Sequence, residues 1–385
     1  MSPKISPESE ALRKEVRELA RNEFMPKARK WDETDEYPME NVKKLAELGI
    51  LGLTIPEEYG GSGWSLFNIP IVTEEIAYAC PITAFLIDPF FLTSRSILIF
   101  GSEEQKKKWI PAMINAEKIP CFALTEPGGG SDVVGMKTVA RKEGDEYVIN
   151  GEKVFNTQSL VADVYLVFAK TDPAKGPKGI SAFLVERNSK GLELGNPIKM
   201  LGLHGVSIAP LVFKDVRVPA ENLVGKEGEG LKIGLGQLNE GRVQIAAVAL
   251  GIAQRALEEA IEYSKQRKAF GQTISKFQHV QRYITDMAVW LEASRLLTYE
   301  AASLLESEGA EKEAMLKASM AKLFATETAA MATGHVIQIM GGYGYTKDFV
   351  AEKLYRDARV LTIVEGTTEI QRLIIARRLL GRDYV

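Results

Sequence analysis

The sequence predicts an α+β fold in which helices come first, strands follow, and helices close the chain. Three observations carry this. Apolar residues recur at helical spacing before about residue 120 and again after about residue 228. Between Cys121 and about Val218, short segments rich in valine, phenylalanine and tyrosine alternate with turn signals. The links between those segments are too short to hold crossover helices, so an antiparallel sheet or small barrel is expected, not a doubly wound sheet. The domains expected are 1–120, helical; 121–230, a central β domain; and 231–385, a helical bundle.

In the first domain, Leu12, Val16 and Leu19 share one helical face. The segment Met39–Leu48 ends at Gly49, a natural C-terminal cap. Pro56 and the run Gly60-Gly61-Ser62-Gly63 predict a loop. Helices are then expected over 68–79, 82–100 and from Ser102 to about Asn115, with Ser102 and Gln105 as a capping box. In the second domain, Tyr147–Ile149 and Lys153–Phe155 flank Asn150-Gly151, which predicts a hairpin. Strands are also expected over Ile180–Glu186 and Leu211–Val218. In the third, Phe277, Val280, Ile284, Met287 and Leu291 form the stripe of a helix packed in an antiparallel bundle. A last helix is expected from near Thr367, capped by Thr368 and Gln371, with Ile370, Leu373 and Ile374 on its apolar face.

The chain has 385 residues, 45% apolar and 26% charged, with a formal charge of -3. That balance offers no basic surface for nucleic acid or acidic membrane. Lys106-Lys107-Lys108 follows Glu103 and Glu104 and reads as a solvated helix face. Cys80 and Cys121 are far apart and have no ligand-like neighbours, which argues against a metal site or disulfide framework and for a reducing compartment. No signal core opens the sequence, and no uninterrupted apolar run approaches the roughly 18 residues of a membrane span. A cytoplasmic protein is expected. Histidines are scarce (His204, His279 and His335), so acid–base chemistry falls to carboxylates.

No dinucleotide fingerprint follows a strand, and the hydrolase, zinc-protease and phosphate-loop motifs are absent. Leu124-Thr125-Glu126-Pro127-Gly128-Gly129-Gly130-Ser131-Asp132 leaves a strand into a glycine loop whose free N–H groups can hold phosphate or flavin oxygens; a plain connecting turn is the alternative. Gly341-Gly342-Tyr343-Gly344-Tyr345 is a second glycine cluster, between helices. Glu365 precedes Gly366 just before a helix start. The helix dipole favours its charge and apolar walls oppose it, a combination that tunes a carboxylate into a base near neutral pH. Arg242, in Asn239-Glu240-Gly241-Arg242, reads as an arginine near a helix start, against the dipole, which points to an anionic partner or a salt bridge. Asp88 stands in the apolar run Phe85–Leu92, where a lone carboxylate is costly unless paired, protonated or used. It could be an N-cap before Pro89.

Together these segments resemble the acyl-CoA dehydrogenase family over essentially the whole chain. "TEPGGGSD", "RKAFGQ", "QIMGGYGY" and "EGTTEIQR" occur in the family's order. The resemblance implies noncovalent FAD between the β domain and the C-terminal helices, a homotetramer, an acyl-CoA substrate, and an electron-transferring flavoprotein as acceptor. It places Phe122, Leu124, Thr125, Gly130 and Ser131 along the flavin, with Phe155 and Thr157 facing the ring. Phe155 stands where many members carry tryptophan. Arg267, Phe270, Gln278, Gln338, Gly341 and Gly342 would meet the FAD of a neighbouring subunit, and Thr367 and Glu369 the adenosine half. Ser131, Asn239 and Arg242 would contact CoA, with Arg242 also near the base.

The family's base maps to Glu365. The position some members use instead is Gly241 here, which cannot serve. Leu92, Val364 and Gly366 fall beside the acyl group, and the small Val364 would widen the pocket for a branched or cyclic substrate. Asp88 maps to the acyl-pocket helix. It resembles a second base in dehydrogenases of cyclohexane- or cyclohexene-carboxyl-CoA, which remove hydrogens at ring positions 1 and 4. An oxidase passing electrons to oxygen, and a flavin-free binding protein on the same fold, are the competing readings.

Overall fold

A computed structural model describes residues 5–381. The first layer is helical: α1 (Pro7–Leu19), α2 (Ala28–Thr34), α3 (Met39–Glu47), α4 (Asn68–Ala79), α5 (Pro81–Phe85), α6 (Ile87–Phe100) and α7 (Glu103–Ile114). The capping box opens α7 as the sequence predicts: Ser102 accepts from the Gln105 N–H and Gln105 reaches back to the Ser102 N–H. The helix expected over 82–100 is broken at Leu86 into α5 and α6. By length and composition Pro81–Phe100 is apolar enough to cross a membrane, but 83% of that window is buried inside the protein. It is a core element here, and that is why it is so apolar.

The β domain comprises β1 (Pro120–Ala123), β2 (Val139–Glu143), β3 (Glu146–Lys153), β4 (Val164–Lys170), β5 (Ile180–Glu186), β6 (Leu192–Leu194), β7 (Leu211–Pro219) and β8 (Leu223–Val224). The sheet order is β6-β7-β3-β2-β4-β5-β8, with β1 on β4. The expectation of an antiparallel sheet needs correction, because β1 and β2 both pair parallel to β4. The long Gly128–Thr138 excursion between β1 and β2 makes this possible. The Asn150-Gly151 hairpin also fails. The turn falls at Gly144-Asp145, and β3 runs straight through Asn150-Gly151 with a register shift against β7. Strand β4 is buried on both faces. Val164, Leu166 and Phe168 join the helical core, while Tyr165, Val167 and Ala169 fill the interior of the sheet.

The closing helices are α8 (Gly230–Gln266), α9 (Gln278–Leu304), α10 (Glu311–Met340), α11 (Ala351–Leu361) and α12 (Thr368–Leu380), with the short ribbon β9 (Lys268–Ala269) and β10 (Gln272–Thr273) after α8. Helix α8 is the axis of the molecule and packs against α4, α6, α9 and α10. Two expectations change here. Arg242 does not open a helix; it lies well inside α8, which starts at Gly230. Thr367, not Thr368, caps α12, accepting from the Ile370 N–H. The expected apolar face of α12 is not buried within the chain: Leu373 is exposed, and Thr368 and Gln371 are the residues turned inward.

Candidate active site

The centre of the site is a small gap in α8. Gly241 is buried in mid-helix, where glycine costs about 1 kcal/mol relative to alanine. The reason is steric. A Cβ at this position would stand 3.0 Å from Glu365 Oε2 and 3.5 Å from Asp88 Oδ1. The absent side chain therefore makes room for two carboxylates, one from α6 and one from the loop before α12.

Glu365 Oε2 and Asp88 Oδ1 are both shut off from solvent and have no hydrogen-bond partner. Burial raises the pKa of Asp88 well above the usual carboxylate range, and the charge of Glu365 raises it further. Burial also pushes Glu365 up to about 7, against the pull of Arg242 and then Lys322. The two carboxyls border one space, so the charge of either opposes ionisation of the other. Asp88 is the second residue of α6 and makes no capping bond, which removes the N-cap reading.

Arg242 follows Gly241 on α8. It is buried, and its Nη1 donates to Asn239 Oδ1 at 2.8 Å. Its Nε has no partner, and burial lowers its pKa against the attraction of Glu365. Leu92 lies one turn beyond Asp88 and is buried. Val364 is half-buried against the main core. Glu365 adopts φ 53° and Gly366 φ 83°, so the loop bearing the carboxylate is held in left-handed backbone.

A second group of expected residues gathers at the open end of β1 and β3. Phe122 packs on Phe168, ring centroids 4.9 Å apart. The Val154 N–H bonds Thr125 O at 2.9 Å, tying the β3 end to the glycine loop. Lys153 Nζ lies beneath the loop, 3.0 Å from Leu124 O and 2.9 Å from Glu126 Oε1. Glu126 also accepts from the Lys137 and Thr138 N–H groups. Above this anchor the loop is open: Gly130 and Ser131 are exposed, and a Cβ at Gly128 or Gly129 would meet nothing within 4 Å. Phe155 is 59% exposed at φ 57°, and Thr157 lies beside the buried Asn156, whose Nδ2 has no partner.

A third group surrounds a cavity of about 490 Å³ lined by Arg267, Gly341, Gly342 and Tyr343, with the Arg267 guanidinium 5.5 Å from the Tyr343 ring centre. Phe270, 94% exposed, extends from the β9–β10 turn, and Gln278 and Gln338 are exposed nearby in sequence. Thr367 and Glu369 lie at the start of α12. Ser131 is not joined to Asn239 or Arg242 by any hydrogen bond among the described residues. Sequence reasoning missed Lys153 and Lys322, and read Gln371 only as a helix cap. The one available signal was a lysine on the alanine-rich inner face of α10.

The family models for the N-terminal, middle and C-terminal domains of acyl-CoA dehydrogenase match residues 6–117, 121–216 and 228–380. The short-chain specific acyl-CoA dehydrogenase of Clostridium acetobutylicum is 43% identical over 97% of this chain and 98% of its own length. The mitochondrial short-chain specific acyl-CoA dehydrogenase of Mus musculus is 45% identical over 97% of this chain and 90% of its own. The butyryl-CoA dehydrogenase structure from Megasphaera elsdenii superposes with a TM-score of 0.94 at 36% identity, covering 99% of this chain and 100% of that one.

The chain belongs to the acyl-CoA dehydrogenase family. It is an FAD-dependent flavoprotein oxidoreductase that acts on acyl-CoA. The residues present fit that cofactor. An exposed aromatic ring and an uncrowded glycine backbone stand at one open edge, with the unpartnered amide of the buried Asn156 next in sequence to that ring, and together they supply the donors and flat surface a flavin ring requires.

Proposed function

We propose that Glu365 is the base that removes the α-proton of a short, branched or cyclic acyl-CoA thioester. The observation that carries this reading is the Glu365 carboxylate itself: buried, with Oε2 unpartnered, and raised towards neutrality. An exposed carboxylate is far too weak a base for a proton next to a thioester carbonyl. Burial narrows that gap, and so does stabilisation of the enolate oxygen. The Glu365 N–H has no acceptor among the described residues and is available to hold that oxygen. FAD, when bound, supplies the acceptor for the β-hydride, so the CH–CH bond becomes C=C with the α-proton left on Glu365.

Arg242 and Asn239 orient the CoA-bearing end, Ser131 assists from the glycine loop, and Leu92, Val364 and Gly366 wall the acyl group. Phe122, Leu124, Thr125, Gly130, Phe155 and Thr157 hold the flavin. Arg267, Phe270, Gln278, Gln338, Gly341 and Gly342 serve the flavin of a neighbouring subunit in a homotetramer, with Thr367 and Glu369 at its adenosine end. The exposed Phe270, Val289, Trp290 and Leu373 support such an assembly, because water-facing apolar groups of this size gain from cover. Electrons pass to an electron-transferring flavoprotein, and the protein works in the cytoplasm.

One observation favours a more specific substrate. Asp88 Oδ1 and Glu365 Oε2 both border the space left by Gly241. A cyclohexane- or cyclohexene-carboxyl-CoA ring would offer hydrogens to both, with Asp88 as second base. Anaerobic flavin bleaching against linear, branched and alicyclic acyl-CoAs tests this. Asp88→Asn should spare linear substrates and slow alicyclic ones by about 10²-fold, the lower range for a general base. Unchanged turnover of every substrate would end the second-base reading. Peroxide formed at the turnover rate under air would replace the electron-transferring flavoprotein with oxygen.

A further inference from the structure

We propose that Lys322 is a positioning residue for the Glu365 loop, fixing the Gly366 carbonyl and using its charge to keep Glu365 in the proton-accepting form. This rests on the reading of Glu365 as the base.

Lys322 lies on the inner face of α10 among Ala318, Ala321, Ala325 and Ala329, and is 0% exposed. Its Nζ donates to Gly366 O at 2.9 Å. Among the described residues no carboxylate pairs with it, unlike the other fully buried lysine, Lys153, which is paired with Glu126. Burying an ammonium for one neutral carbonyl is costly, and an apolar side chain would fill α10 as well. Such a cost persists where the charge has a use.

The loop shows what that use is. Gln371 Nε2 donates to Gly366 O at 2.9 Å and to Glu365 O at 3.0 Å. Lys322 and Gln371 thus hold both carbonyls of a left-handed dipeptide from the protein side. That leaves the Glu365 carboxylate beside Gly241, and the Glu365 N–H without an acceptor among the described residues.

The charges around the carboxylate are few. Asp88 faces it from α6, Arg242 from α8 and Lys322 from α10. Lys322 in turn feels Glu365 first, then Arg242, Glu327 of its own helix and Glu369 of α12. Glu327 is already held by the Thr368 hydroxyl at 3.0 Å. Burial pushes Lys322 down to about 8, so it remains protonated at neutral pH. A cation beside an acid favours the ionised acid. Removing that cation must raise the pKa of Glu365 and leave less of it able to accept a proton at a given pH.

The test uses the flavin-loaded enzyme and butyryl-CoA. Two quantities are followed against pH: the anaerobic rate of flavin reduction, and the infrared carboxyl band that disappears in Glu365→Gln. Lys322→Met removes donor and charge, Lys322→Gln keeps a donor without charge, and Lys322→Arg keeps the charge. Both neutral variants should move the midpoint of rate and band upward by about one pH unit, slowing reduction about tenfold at pH 6. Lys322→Arg should keep the wild-type midpoint. Wild-type midpoints in the neutral variants overturn the proposal. If Lys322→Met does not fold, the midpoint of Lys322→Gln decides in the same way. Glu365→Gln separates the two claims. Reduction surviving in that variant defeats the base reading. Reduction lost there, with unmoved midpoints in the Lys322 variants, defeats only the role of Lys322.

Discussion

The Gly128–Gly130 loop and the Glu365–Gly366 loop are held by the same device, a buried lysine donating to a backbone carbonyl, but their surroundings differ. Lys153 beneath the first loop has the Glu126 carboxylate against it, and its charge is spent there. Lys322 beneath the second has only the Gly366 carbonyl, and its field reaches Glu365. The first loop opens to solvent, whereas on the partly buried second loop Glu365 Oε2 is shut off from it. A paired lysine is a strut for a surface that a cofactor covers; an unpaired one sets the proton affinity of a neighbour.

The contrast breaks most visibly at Lys153. Lys153→Met should cost about 3–5 kcal/mol in urea unfolding, since it strands the Glu126 carboxylate, and should weaken flavin retention. Pairing it with Glu126→Gln should recover part of the loss. Neither change should move the pH midpoint of flavin reduction, and a moved midpoint would erase the distinction between the two lysines.

Gly241→Ala comes next. Its methyl would stand 3.0 Å from Glu365 Oε2, so the carboxylate must shift. Misplacing a reacting group by a fraction of an ångström to an ångström should slow flavin reduction about 10²-fold with the flavin still bound.

The smallest effect is on stability. The folded pKa of Asp88 lies above its unfolded value, so its contribution is fully present below about pH 4 and is lost as pH rises through the folded pKa. Asp88→Asn should therefore match wild type in acid and exceed it by about 1–2 kcal/mol at pH 8, read from thermal unfolding. A difference that is constant with pH would contradict the buried, unpaired state of Asp88.

Much of this was legible in the sequence because loops that need glycine advertise it. The three-domain order, the glycine loop after β1 and the glutamate before Gly366 were all read from motifs and turn chemistry. The errors have common physical sources. Asn150-Gly151 is a strong local turn signal, yet Gly151 is used for close approach: a Cβ there would lie 2.6 Å from Thr138 Cα. The segment Asn239-Glu240-Gly241-Arg242 read as the start of a helix that begins at Gly230. Gly234 and Gly241 instead let α8 pass Phe168 and Glu365, contacts that arise only in three dimensions. Thr367 and Thr368 are equivalent N-caps in sequence, and choosing the wrong one hid the second role of Gln371 as a clamp on Glu365 and Gly366. Lys322 lacked any local signal beyond one charged residue among alanines.

Proton abstraction itself can be watched apart from electron transfer, by incubating enzyme and butyryl-CoA in deuterium oxide and measuring deuterium at the α-carbon. Wild type should exchange that hydrogen, and Glu365→Gln should lose the exchange by about 10³-fold while still binding the thioester. Undiminished α-exchange in Glu365→Gln would contradict the assignment of the base.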